Sequence, residues 1–221
     1  MLRRLGRYAP IAALLASNPA ASAAQASPAQ ALFGRLMEAR LSVLAQEPEV
    51  AARANGLRGM ALMQIAGDSA LYFVDDSGLR QLSALFGESA AQASPEACAL
   101  LYTAGSDAFP DAFARVLQNA DSSLVDRWAA FMVRLVRAGI LRPSPGRLAS
   151  ADDVGATIRA LIAEQPASDR ERLRRGAAKQ GDVRDVCFFT MTLYRQLGEL
   201  PPSKVGPVFR AMMRGVKPKL R

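Results

Sequence analysis

The chain contains no histidine. That absence removes Ser-His-Asp and Cys-His catalysis, histidine-ligated zinc and the ordinary protonation switch near neutral pH. Cysteine is scarce, with only Cys98 and Cys187, and no CxxC pair is present. Neither a phosphate-binding glycine loop nor a nucleophile elbow occurs. Aromatic residues make up 6% of the chain, with a single tryptophan. What the sequence does have is apolar mass: 50% of its 221 residues are hydrophobic and 22% are charged. That balance excludes a disordered chain. A chain of this length removes about 70% of its surface from water on folding, enough for one core.

The N-terminal segment carries a destination signal. Arg3, Arg4 and Arg7 precede the apolar run Ala9 to Ala16, and no acidic residue occurs before Glu38. Asn18-Pro19 breaks the run, and Ala21-Ser22-Ala23 and Ala24-Gln25-Ala26 then supply small-x-small sites. Positive, apolar and small, in that order, predicts a secretory signal peptide over residues 1–26 and a helical domain over 27–221. The run is well short of the ~18 residues that span a bilayer. A mitochondrial presequence or a plain Ala-rich leader shares the Arg-rich, acid-free composition. Export places the mature chain in the periplasm or outside the cell, where cysteines pair. Cys98 follows the Ser94-Pro95 helix start and shares a face with Leu101 and Tyr102, and Cys187 sits in the stripe Val183, Val186, Cys187, Thr190, Leu193, Tyr194, Leu197. Both sulfurs point inward, so a Cys98–Cys187 disulfide is expected; two buried free thiols are the alternative.

The remainder reads as capped helices, mainly α, in a single globular multi-helix bundle. Ser27 with Gln30 opens the first, and Pro48 interrupts it. Asp121 or Ser122 caps a helix with apolar positions Leu124, Trp128, Phe131, Met132, Leu135 and Val136, at helical spacing. Ser150 with Asp153 and Ser168 with Glu171 form two more capping boxes. Asp182 opens the Cys187 helix, and Gly206-Pro207 opens a last one. Residues 60–75 resist assignment: clustered Tyr72, Phe73 and Val74 suit a small β-hairpin, and two short helices fit equally.

Charge is segregated. Residues 41–169 hold 10 basic and 15 acidic side chains, whereas residues 170–221 hold 13 basic and 4 acidic. Arg170, Arg172, Arg174, Arg175 and Lys179 crowd one helix; Arg214, Lys217, Lys219 and Arg221 form a basic tail. These nine residues are the expected binding surface for a polyanion, either an anionic envelope component or an acidic protein partner. A solvated face that keeps the chain soluble is the plainer explanation. No aromatic interleaves with them, which speaks against single-stranded nucleic acid. Nucleic acid returns as a partner if the N-terminus is not a leader.

Candidate catalytic groups are few. Asp75-Asp76 and Asp152-Asp153 sit at helix starts, where caps explain them. No metal set and no cofactor motif is expected. The fragment Gly59-Met60-Ala61-Leu62-Met63-Gln64-Ile65 resembles the glycine-leucine-methionine-glutamine motif of lysozyme-like lytic transglycosylases. The resemblance implies an exported helical enzyme with one catalytic glutamate, for which Glu47 is the nearest candidate. Here Pro48 stands where that family has Ser, and Ala61 replaces its Gly. The sequence therefore points first to an exported, non-catalytic binding protein, with a peptidoglycan-active enzyme as the alternative.

Overall fold

The computed structural model describes residues 26–67, 70–103 and 109–214. Among the described residues there are twelve α-helices and no strand. They are α1 (Pro28–Leu44), α2 (Pro48–Ala54), α3 (Leu62–Ala66), α4 (Ala70–Phe73), α5 (Asp76–Gln92) and α6 (Pro95–Thr103). They continue with α7 (Phe109–Leu117), α8 (Ser122–Leu141), α9 (Ala151–Ala163), α10 (Ala167–Ala177), α11 (Val183–Glu199) and α12 (Pro202–Met213). The ambiguous stretch is a 3-10 turn at Gly59–Ala61 followed by α3 and α4. A hairpin would have left its backbone groups on an open edge, whereas short helices satisfy them internally and bury Leu62, Met63, Ala66, Ala70 and Leu71.

Most helix starts follow their caps. The Ser27–Gln30 and Ser150–Asp153 capping boxes both form. Asp121, rather than Ser122, caps α8 by accepting from Leu124 N–H at 2.8 Å. Two starts differ from expectation. α10 begins at Ala167 behind Pro166, so Ser168 lies inside the first turn and caps nothing. α12 begins at Pro202, and Pro207 lies inside it rather than at its start. Pro202 costs nothing as the first helical residue, because that N–H has no partner anyway.

Two long helices organise the core. α8 packs on α1, α3 and α4, while α11 packs on α5, α6 and α10. α5 and α11 run antiparallel and nearly touch. A Cβ on Gly87 would fall 2.9 Å from the Arg195 nitrogen, and one on Gly198 would fall 3.1 Å from the Ala84 nitrogen. Phe86 stacks on Tyr194 at 5.0 Å and meets Trp128 edge-on at 5.2 Å, linking α5, α8 and α11. The Trp128 indole donates to Ser89 Oγ at 2.7 Å, so the buried ring leaves no polar atom without a partner.

Candidate interaction surface

The basic helix α10 lies against the start of α11, and its arginines divide into two sets. Arg172 Nε donates to Asp185 Oδ1 at 2.9 Å and Arg175 Nε to Asp185 Oδ2 at 3.0 Å. Asp185 is 9% exposed. Its burial acts to raise the carboxyl pKa, but the two guanidinium partners outweigh it and hold the group below the usual carboxylate range. Gly176 and Gly181 leave the space that this packing needs: a Cβ on Gly176 would fall 2.4 Å from the Asp185 carbonyl oxygen. Arg172 also donates to the Arg184 carbonyl at 3.2 Å and stacks over the Phe188 ring at 4.4 Å. These two arginines are therefore occupied in holding α10 onto α11.

The second set faces outward. Arg174 makes only a 3.5 Å contact with Glu171, both side chains being more than 60% exposed. Such a pair neutralises little of the charge seen from solution. Arg170 donates to the Gln165 carbonyl at 2.8 Å, closing the turn before α10. Lys179, in the left-handed region at φ 57°, lies over the Tyr102 ring at 5.1 Å. Burial raises the Tyr102 pKa, and its hydroxyl donates to the Ala177 carbonyl. Arg184 and Val183 are also exposed at the start of α11. The sequence reading did not single out Arg184, and it placed Val183 in the inward stripe of Cys187; as the first residue of α11, directly after the Asp182 cap, Val183 is instead 39% exposed. The structure thus gathers Arg170, Arg172, Arg174, Arg175, Lys179 and Arg184 on one corner. Arg214 stacks instead on Tyr72 of α4, at 4.4 Å. Lys217, Lys219 and Arg221 lie outside the described residues.

That corner is braced from below. Cys98 of α6 and Cys187 of α11 stand at disulfide distance, 2.09 Å between sulfurs and 5.1 Å between Cα atoms. Phe188, next in sequence, turns outward to one end of a groove between α5 and α11. The groove encloses about 390 Å³ and is lined by Ala84, Gly87, Ala91, Phe188, Met191 and Arg195, among others. Glu88 on its rim is held by both terminal nitrogens of Arg127.

One charged pair was missed by sequence reading. Arg210 of α12 is 2% exposed, donating to Asp76 Oδ1 at 2.7 Å, to the Val74 carbonyl at 2.6 Å and to the Arg147 carbonyl at 3.3 Å. It ties α12 to the start of α5 and to the loop before α9. A lone arginine flanked by Val208, Phe209, Ala211 and Met212 was the available signal, because charge inside an apolar stripe has to find a partner.

The remaining acidic candidates are engaged locally. Asp75 caps α5 by accepting from Gly78 N–H at 2.7 Å and also accepts from Arg134. Glu47 pairs with Arg137 at 2.7 Å beside the start of α2, both side chains being more than 40% exposed. Glu38, not Glu47, reaches the Gly59–Ala61 turn, accepting from Met60 N–H at 3.2 Å. Among the described residues no group of three or more acidic or cysteine side chains is gathered as a metal set. No family model, curated protein or solved structure matches this chain.

Proposed function

We propose that the protein is exported by cleavage of residues 1–26 and works in the periplasm or outside the cell by docking on an anionic envelope component, without catalysis. The observation that carries this reading is the corner of α10 and α11. Arg174, Lys179 and Arg184 face solvent there beside exposed Val183 and half-buried Phe188. Outward cations together with an exposed apolar side chain suit a headgroup layer, because each Lys or Arg near an anionic surface contributes about 1 kcal/mol. The Arg172–Asp185–Arg175 cluster supplies a fixed base for this set. The leader-like N-terminus and the lack of catalytic motifs support the same reading.

Co-sedimentation with vesicles tests the docking. The mature chain is expected to pellet with phosphatidylglycerol vesicles and not with phosphatidylcholine, less so as salt rises. Changing Arg174, Lys179 and Arg184 together to Gln should weaken binding roughly a hundredfold by the same per-charge figure. Arg172 and Arg175 are left untouched, so loss of binding is not loss of fold. Equal pelleting of wild type and triple variant, or none by either, refutes the proposal. N-terminal sequencing after bacterial expression tests export separately: a start after Ala23 or Ala26 supports it, and an intact Met1 in the soluble cytosol overturns it.

A further inference from the structure

We infer that the groove between α5 and α11 seats a second copy of this chain in a two-fold dimer. The groove's two walls differ in shape. The α5 wall is small apart from Glu88, presenting Ala84, Gly87 and Ala91, while the α11 wall carries the bulkier Phe188, Met191 and Arg195 and, towards its end, Gly198 and the acidic Glu199. The two helices are in fixed register, since Gly198 lies against Ala84 and Arg195 against Gly87. Continuing antiparallel, that register sets Ala91 level with Met191 and leaves Phe188 about one helical turn further on. A two-fold axis running along the groove lays α5 of each copy over α11 of the other. It then places the small residues of one copy against the large ones of its partner, twice over, as an isologous interface requires.

Charge fits the same arrangement. Arg195 is exposed and makes no hydrogen bond or ion pair among the described residues. Glu88, one residue from Gly87, falls opposite Arg195 of the second copy. Its two oxygens each accept one bond from Arg127, and carboxylate oxygens have further acceptor capacity. The dimer thus gains two Glu88–Arg195 pairs related by the axis. An acidic or basic partner of one sign would leave one of these rim charges facing its like. A second copy of the chain brings both signs in the right places. The inference shares Phe188 with the docking corner but does not rest on its outward cations, which lie on α10, in the turn after it and at the start of α11.

Sedimentation equilibrium and light scattering on the purified, disulfide-intact chain test this. Wild type is expected to weigh as a dimer. Ala91→Arg, Met191→Glu and Arg195→Glu should each raise the dissociation constant by about tenfold or more. Their helical circular dichroism should be unchanged, since all three side chains are exposed or half-buried. A wild-type monomer at its highest soluble concentration overturns the inference. So does a dimer that all three substitutions leave intact.

Discussion

Arg210 and Asp76 stand 134 positions apart in sequence and 2.7 Å apart in the fold, with the guanidinium almost wholly buried. Around them the chain has made room: a Cβ on Gly146 would fall 2.0 Å from the guanidinium carbon, and one on Gly206 would fall 2.0 Å from the Asp76 carboxylate. An ion pair with one buried partner, Asp76 being 36% exposed, is weak evidence of stabilisation by itself. Breaking it is another matter. The carbonyls of Val74 and Arg147 and the Asp76 carboxylate all depend on one side chain.

Arg210→Ala is therefore expected to cost about 1–3 kcal/mol, because it leaves the buried Val74 carbonyl unpaired, while the Asp76 carboxylate, 36% exposed, regains part of its hydration. Arg210→Lys should be nearly as harmful, since a single ammonium cannot span the three acceptors. The double variant Arg210→Met with Asp76→Ala should recover a large part of the loss, by removing both charges together. Urea denaturation of wild type, Arg210→Met, Asp76→Ala and the double variant measures the cycle. Additive losses would show that the two residues act separately.

The Asp185 cluster predicts a pH dependence. Its folded pKa lies below the ordinary aspartate value of 3.8, so the unfolded chain takes up a proton first as pH falls. The stability it supplies is present above about pH 4 and disappears as pH drops through the folded value. Asp185→Asn should lower Tm by several degrees at pH 7, with the gap to wild type closing towards pH 2. A gap of constant size across that range would exclude the two arginine contacts as its origin.

The helical class and most helix starts were legible because capping is local. Ser27 with Gln30, Asp121 and Ser150 with Asp153 each act within three residues, and their side chains bond where the pattern says. Two of the failures have equally local causes. Pro166 sets the fold of the turn ahead of Ser168, and Pro202 starts a helix where a double proline reads as a stop. Tyr72 and Phe73 suit strands by propensity, but α4 is only four residues long and packing against α8 decides it. The candidate site was half visible. A run of five cations in ten residues announces itself; the use of two of them on Asp185, and the burial of Arg210, depend on which distant chain segments the fold brings alongside.

The Cys98–Cys187 bridge predicts a large thermal effect. It closes a loop across 89 positions, and constraining so long a loop removes about 4 kcal/mol of unfolded-state entropy. Cys187→Ala should lower Tm by roughly 10 °C in a chain of this size. Cys98→Ala should match it, and the double variant should cost little more, because either change opens the bond. Non-reducing peptide mapping of wild type should recover the two segments as one linked fragment. Two titratable thiols in the unfolded, unreduced protein would rule the bridge out.

Two glycines predict opposite outcomes for one substitution. Gly34 is exposed in the middle of α1, and a Cβ there meets nothing within 4 Å. Gly34→Ala should stabilise by about 0.5–1 kcal/mol, the helix-propensity difference between the two residues. Gly176 is also helical, near the end of α10, so propensity alone predicts a gain there too. Contact reverses the sign. A Cβ on Gly176 would fall 2.4 Å from the Asp185 carbonyl and 2.7 Å from Phe189 Cβ, and backbone cannot step aside as a flexible side chain does. Gly176→Ala must push α10 off α11, weakening both arginine contacts to Asp185, and should destabilise by about 1–3 kcal/mol. Paired thermal melts decide the matter. If both variants melt higher than wild type, α10 does not approach α11 as closely as its arginines require, and the fixed base assigned to the cationic corner falls with it.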